Sequence, residues 1–256
     1  MAKKATSYPP FLLFGMSALL FAGGWLMASF PIFIFFALAP LFAITDYADN
    51  TEAAWEKMEW ALLALTVSFL AAHAFDFSFI VSALVLAILF TLPLIGQVWV
   101  RQTLGPHVGK ITILFFWLAA EYVLLKIKPG SSIFLADTVR LEPNWWRWNV
   151  HTGYLGATCW ILMTNLLVYQ SFLSRNPFQW HWLLMTILFL IGPIAYSYSL
   201  DSTPVNRDDM MNLYSGKGLI KDVTYLASGE LVVRTAAWLS TLILLFTFVK
   251  NQTTKR

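Results

Sequence analysis

The sequence predicts an all-α fold, a polytopic transmembrane bundle of about eight helices. Of its 256 residues, 58% are hydrophobic and only 12% are charged, whereas a soluble domain is about 25% charged. The longest stretch without Asp, Glu, Lys or Arg covers residues 5–45. At about 1.5 Å per helical residue it is long enough for two crossings of a hydrocarbon layer about 30 Å thick. We therefore expect an integral membrane protein.

The predicted helices follow the apolar stretches in chain order. The first begins at residue 10, and the apolar run continues too far for a cleaved signal peptide, so we expect it to be retained. The second starts at Pro31, which suits a first helical turn, and contains Pro40, which predicts a tilted or broken helix. The eight predicted helices cover residues 10–30, 31–47, 60–75, 77–100, 111–127, 152–173, 180–200 and 231–249.

Two longer connections, residues 128–151 and 201–230, separate the later helices. We expect residues 1–256 to form a single membrane domain, since neither connection leads to a separate soluble domain. Placing both termini in the cytoplasm puts nine Lys and Arg residues inside and eight outside. The first two outer loops carry neither residue type, which favours this orientation and makes both long connections extracytoplasmic.

Composition also limits the partners and cofactors. The net charge is only +3, and there is no basic stripe of the kind that binds nucleic acid. A single cysteine, Cys159, excludes an internal disulfide, and the four histidines do not follow a zinc-binding pattern. No phosphate-binding loop or dinucleotide-binding motif is present, so we expect no cofactor and no metal.

Glu121 is the one carboxylate placed well inside a predicted span. Such a residue is a functional hypothesis by default, but two interpretations stay open. Glu121 either has a structural role, capping a neighbouring polar group or lying near the outer interface, or takes part in chemistry. Cys159 lies within the sixth predicted helix, where an inert, packed thiol is expected.

Histidines and tryptophans supply the other candidate sites. His151 is the better catalytic candidate among the histidines, while His73 and Asp76 are expected to lie at an interface. Trp145, Trp146 and Trp148 precede the sixth helix and predict an aromatic anchor at the lipid interface. The remaining residues assigned to that interface are Trp117 and Arg234.

Several stretches resemble apolipoprotein N-acyltransferase, the bacterial enzyme that adds the third acyl chain to lipoproteins. They occur in order along nearly the whole chain. They are Phe11-Leu-Leu-Phe-Gly15, Phe30-Pro31 through Pro40-Leu-Phe42, Trp117-Leu-Ala-Ala-Glu121-Tyr122, Trp145-Trp-Arg-Trp148, Thr152-Gly-Tyr-Leu-Gly156, Trp160 through Asn165, and Val233-Arg234-Thr235. Ala236 stands where that family usually has glycine. The resemblance implies a lipid-facing set of helices in a bacterial inner membrane.

The chain departs from that family in one large respect. The family carries a nitrilase-like catalytic domain between its seventh and eighth helices, with a Glu–Lys–Cys triad. The corresponding connection, residues 201–230, contains no cysteine. Lys217, Lys221 and Glu230 cannot be matched to the triad, so no known catalytic residue carries over.

The resulting functional hypothesis is a membrane scaffold that lacks the family's thioester chemistry. Its expected partners are membrane phospholipid and either a lipoprotein or another membrane protein. Two alternatives stay open. One is an intramembrane acyltransferase of different mechanism, which would use His151 and Glu121. The other is a transporter of a small or lipidic solute, although no internal repeat supports it.

Overall fold

Helices form every regular element in the described part of the chain, which confirms the all-α prediction. The computed structural model describes residues 8–27, 31–49, 54–127, 133–174, 178–215 and 223–254. Its α-helices are α1 (Pro10–Leu26), α2 (Ile34–Ala37), α3 (Ala39–Thr45), α4 (Ala54–Ala72), α5 (Ile80–Leu104), α6 (Pro106–Ile127), α7 (Asn149–Thr152), α8 (Gly156–Val168), α9 (Trp180–Tyr198), α10 (Arg207–Ser215) and α11 (Val223–Thr254). Short 3₁₀ segments include Asp46–Asp49, Leu135–Val139 and Pro143–Trp145, and a π-helical turn covers Tyr169–Leu173.

Four helical stretches are long and apolar enough to cross a membrane. They are Phe77–Leu104, Val108–Ile127, Trp180–Tyr198 and Val232–Thr253. Three shorter apolar stretches correspond to the first three predicted helices. They are Pro10–Leu26, Pro31–Thr45 and Met58–Ala72. The sixth predicted helix corresponds to α8 and the π-helical turn that follows it.

Several predicted boundaries differ from the structure, and the starts of the sixth and last helices affect the long connections. The sixth helix does not run unbroken from residue 152, because Gly153 has φ of 80° and separates α7 from α8. Glycine adopts this left-handed conformation without a Cβ clash, so the chain turns there. The last helix begins at Val223 instead of residue 231. The connection 201–230 is therefore shorter than predicted and contains α10.

The second predicted helix is broken, as Pro40 suggested. Its two parts, α2 and α3, are separated at Leu38. Proline has no N–H group and its ring clashes with the carbonyl group four residues earlier, so a continuous helix is disfavoured there. Asn165 of α8 bonds to the break: its Oδ1 atom accepts the N–H groups of Leu38 and Ala39 at 2.8 and 3.1 Å.

The chain divides into two compact units. Unit 1 comprises Met1–Thr91 and Trp160–Gly192, and unit 2 comprises Leu92–Cys159 and Pro193–Arg256. Two of the boundaries lie within two residues of a proline inside a helix, Pro93 in α5 and Pro193 in α9.

In unit 1, α1 lies antiparallel to α2 and parallel to α4. The Ser17 hydroxyl donates to the Ala37 carbonyl at 2.7 Å, whereas Gly24, later in α1, lies against Ile34. Two pairs of residues fix the direction of α4. Early in both helices, the Phe14 and Trp60 ring centres are 5.5 Å apart. Late in both, the Trp25 indole donates to the Ser68 hydroxyl at 3.2 Å.

The broken helix α2–α3 lies parallel to α8, also within unit 1. Phe35 and Trp160, which are early in the two segments, have ring centres 4.3 Å apart. Asp46 and Tyr169, which follow at their ends, are joined by a 2.5 Å hydrogen bond from the tyrosine hydroxyl. Asn165 bonds to the break between these two contacts. The partners thus advance in the same order along both segments.

In unit 2, α5 and α6 form an antiparallel pair. Gly96 lies against Phe116, and Arg101 lies against Gly109. The opposite end of α6 leads towards the 3₁₀ segment Leu135–Val139, and α11 packs against both α6 and α7. This arrangement places Glu121 of α6 near the connection that follows it.

Candidate functional site

Glu121 is fully buried in α6 and caps the connection that follows this helix. Its side chain is 0% exposed, and Oε1 accepts a hydrogen bond from the Leu135 N–H at 3.0 Å. Leu135 is the first residue of a 3₁₀ segment, whose first N–H groups have no partner within the segment itself. The observed contact is the capping interaction that was one of the two sequence-based interpretations.

The second carboxylate oxygen of Glu121 has a different environment. Oε2 has no partner at normal hydrogen-bond geometry among the described residues. The side chains of Thr158 and Trp117 belong to the buried surroundings of this carboxyl group. Asp137 adds a second negative charge nearby. Glu121 is therefore held by the hydrogen bond from the Leu135 N–H.

Asp137 lies at the centre of a polar cluster beside this cap. Its carboxylate accepts hydrogen bonds from the Phe134 N–H at 2.9 Å, the Tyr154 hydroxyl at 2.5 Å and Arg207 Nη1 at 2.9 Å. Burial raises the pKa of the Asp137 carboxyl above its ordinary value, and the Arg207 guanidinium opposes this shift. Glu121 and Asp137 thus hold two consecutive backbone N–H groups.

Arg147 joins the first long connection to the end of α9, and Asn149 joins it to the second long connection. The Arg147 N–H donates to the Ser197 hydroxyl at 2.6 Å, and Arg147 Nη1 donates to the Leu200 carbonyl at 2.9 Å. Asn149 exchanges two hydrogen bonds with the Val205 backbone, at 2.8 and 2.9 Å. With the Asp137–Arg207 ion pair, these contacts dock the two connections onto each other within unit 2.

The aromatic residues assigned to the lipid interface do not share one environment. Trp146 is 2% exposed and packs edge-on against Tyr154 at 5.2 Å, and Trp117 is 1% exposed. An interface assignment does not fit these two rings, because packing inside unit 2 removes them from any surrounding solvent or lipid. Trp145 and Trp148 are partly exposed.

The remaining predicted residues lie apart from the polar cluster. His151 is exposed in α7, and no hydrogen bond or ion pair joins it to Glu121 in the described part of the chain. Arg234 is exposed in α11. Lys217 and Lys221 lie outside the described residues, as does the side chain of Glu230. Within the described ranges no group of three His, Cys, Asp or Glu residues could hold a metal ion.

Four residues that make long-range polar contacts, Asn165, Asp137, Asn149 and Arg207, were not among the predicted site residues. The sequence did contain a signal for Asn165, since an amide inside an apolar helix is costly unless it is hydrogen-bonded. It contained no such signal for Asp137, Asn149 or Arg207. Their partners lie 56 to 70 residues away along the chain, and polar residues in a connection are ordinary.

The comparisons with known proteins leave the family open. The chain matches no protein-family model, no curated protein and no solved structure. The resemblance to apolipoprotein N-acyltransferase therefore stays a prediction from the quoted residues, and the fold and contacts described above carry the functional argument.

Proposed function

We propose that this chain is an eight-pass membrane scaffold that binds lipid or lipoprotein without thioester chemistry of its own. The observation that supports this topology is the direction of the helices in unit 1. Because α1 and α4 are parallel, the chain must return between them, and α2–α3 is the helical segment that the structure describes there. That broken segment therefore crosses the membrane although it is short.

The length of the broken segment is compatible with a crossing. Residues 31–45 span about 22 Å as a helix, and the 3₁₀ turn to residue 49 extends this to about 29 Å, close to a hydrocarbon layer of about 30 Å. The parallel alignment of α2–α3 with α8 requires an odd number of crossings between them. Helices α4, α5 and α6 supply three, and α9 and α11 complete eight.

Cysteine labelling tests this topology. In a Cys159→Ala background, single cysteines replace Asp76 and Gln102, exposed residues at opposite ends of the α5 stretch. With both termini in the cytoplasm of a bacterial inner membrane, an impermeant maleimide should label position 76 from outside and position 102 only after permeabilisation. Labelling of both positions from one side would contradict a crossing by α5.

The proposed scaffold role rests on the contacts that the candidate residues make. Glu121 bonds to the Leu135 N–H, Asp137 pairs with Arg207, and neither forms a nucleophile–base pair in the described residues. Nucleophilic catalysis needs the nucleophile and its base within hydrogen-bond reach. The polar cluster instead docks two connections together, as expected of a structural platform.

Two measurements test the binding role. Native mass spectrometry of protein purified in mild detergent should recover bound phospholipid or a defined protein partner, and a lone, lipid-free monomer would count against the proposal. Mass spectrometry of lipoprotein N-termini, with and without the gene, should show a change in acylation if the partner is the lipoprotein pathway. An unchanged profile would restrict the proposal to lipid binding.

The intramembrane acyltransferase alternative has a direct test. It needs His151 and Glu121 to act on one substrate, but His151 is exposed and Glu121 is fully buried. Acyl transfer that persists in both His151→Ala and Glu121→Ala would remove these residues from any such mechanism.

The transporter alternative is disfavoured by the helix break. Broken helices in transporters offer free N–H groups to a bound substrate. Here the Leu38 and Ala39 N–H groups are both bonded to Asn165, so the break is closed by the protein itself.

A further inference from the structure

We propose that an aromatic cluster between the π-helical turn and α9 anchors unit 1 at the membrane surface, with its rings among the headgroup and glycerol groups of phospholipid. The cluster consists of Phe172, Phe178 and Trp180, which are 52%, 50% and 75% exposed. The Phe172 and Phe178 ring centres are 6.2 Å apart, and the Phe178 and Trp180 rings meet edge to face at 5.3 Å. The inference rests on the proposed membrane topology and names where unit 1 meets lipid.

The π-helical turn Tyr169–Leu173 presents the first ring of this cluster. Ser171 of the turn is 3% exposed, and its hydroxyl lies 3.1 Å from the Thr186 hydroxyl of α9. The next residue, Phe172, lies on the outside. Turns of this kind occur frequently at functional sites. The exposure of Phe172 is therefore fixed by a packed contact between the turn and α9.

The surroundings of the cluster are polar on one side. His181 is exposed, and the Trp182 indole N–H donates to the Gln179 side chain at 3.1 Å on the surface. Contiguous exposed apolar surface of this kind marks a site of contact with another molecule or with a membrane. A site that is apolar on one side and wet on the other is typical of the membrane–water interface, where Trp rings concentrate.

The exposed side chains of α9 change type along the helix as a membrane crossing requires. Trp180 is its first residue, and Tyr198, which is 63% exposed, is its last. From residue 184 to residue 191 the large exposed side chains are Leu, Met and Ile. The helix has 19 residues and is about 28 Å long, close to a hydrocarbon layer of about 30 Å. The apolar surface of α9 thus continues into the cluster, and phospholipid is the partner that covers both.

This cluster differs from the aromatic anchor that the sequence predicted. The predicted anchor, Trp145, Trp146 and Trp148, lies in the first long connection, and its central ring is 2% exposed. In the proposed topology α9 is the seventh crossing and begins on the cytoplasmic side. The cluster at its start therefore contacts the cytoplasmic leaflet, whereas the predicted anchor was expected on the opposite side.

Spin labels measure the depth of the cluster in vesicles of phosphatidylethanolamine and phosphatidylglycerol. In a Cys159→Ala background, single cysteines replace His181 and Leu188, exposed residues about 10 Å apart along one face of α9. Power saturation with oxygen and a water-soluble nickel complex should place position 181 at headgroup level and position 188 within the hydrocarbon. A label at 181 in bulk water or deep in the hydrocarbon, with 188 in lipid, would overturn the anchor but leave the crossing by α9. Both labels in water would overturn the crossing as well.

A second measurement tests the rings themselves. Phe178→Leu/Trp180→Leu keeps the site apolar but removes two rings. The label at 181 should then move towards the bilayer centre, because leucine favours hydrocarbon whereas tryptophan favours the interface. The matched control is Phe189→Leu, which removes a ring from the middle of the same helix and should leave the depth of position 181 unchanged. An unchanged depth in the double variant, or an equal shift in the control, would overturn the proposal.

Discussion

Replacement of Asn165 by leucine should unfold the break between α2 and α3 before the rest of unit 1. Asn165 accepts the N–H groups of Leu38 and Ala39 and donates to the Ile34 carbonyl at 2.9 Å. It is 0% exposed, so water cannot replace these bonds. Leucine has nearly the same shape and leaves two backbone donors buried without an acceptor.

The expected loss of unfolding free energy in Asn165→Leu can be worked out in two ways. Each stranded buried donor costs about 1–3 kcal/mol, which gives about 2–6 kcal/mol for two. Hydrogen bonds between membrane helices average about 0.6 kcal/mol, and three of them give about 2 kcal/mol. Both routes allow about 2 kcal/mol, so the Leu38 and Ala39 amides should exchange hydrogen about 30-fold faster.

The matched control is Thr164→Val, at the neighbouring position of α8. Thr164 is also 0% exposed, and among the described residues its hydroxyl bonds to the Trp160 carbonyl of the same helix, at 2.9 Å. Its removal should cost under about 1 kcal/mol. The assay is reversible unfolding in mixed detergent micelles, followed by circular dichroism. If Asn165→Leu loses no more stability than Thr164→Val, the assignment of Asn165 as the bond that closes the break is refuted.

Three further predictions concern unit 2, and the control variant for the first of them lies in unit 1. Gly109→Ala should lower the free energy of unfolding by about 1–3 kcal/mol in the same assay, because its Cβ would lie 2.4 Å from the Arg101 Cβ atom. The control is Gly15→Ala, where an added Cβ has nothing within 4 Å and stability should stay the same or rise by up to about 1 kcal/mol. Equal effects of the two substitutions would contradict the contact between α5 and α6. Trp146→Ala should lose about 3–5 kcal/mol as a buried ring, and a loss below about 1 kcal/mol would show that the ring is not packed. Burial raises the pKa of the Asp137 carboxyl above 3.8, so the folded state favours the protonated acid. The stability that this protonated acid contributes is lost as pH rises through its pKa. The unfolding free energy of wild type relative to Asp137→Asn should therefore fall as pH is raised from about pH 4, and a rise would show that the ion pair with Arg207 dominates.

The helices themselves could be predicted because a run of apolar residues is a local property of the chain. Pro40 alone indicated that the second helix would be tilted or broken. The same local information misplaced the start of the last helix, since residues 223–230 are more polar than those that follow. It also missed the turn at Gly153, where a glycine inside an apolar stretch was compatible with a continuous helix.

The candidate site was less predictable. Glu121 was singled out correctly as an unusual residue, because a carboxylate within an apolar helix stands out in any sequence. Its partner could not be named, since Leu135 contributes only a backbone N–H, which every residue except proline possesses. Trp146 was assigned to the lipid interface from its type, and the structure packs it against Tyr154 instead.

The sequence by itself determined the helical class, the apolar stretches and the unusual position of Glu121. Each depends on residue type and spacing, which set local backbone preference and the cost of burial. The tertiary structure decided which polar groups meet: Asn165 with the break before Pro40, Asp137 with Arg207, and Asn149 with Val205. These partners are far apart along the chain, and a hydrogen bond depends on distance and angle, which only the packed helices fix.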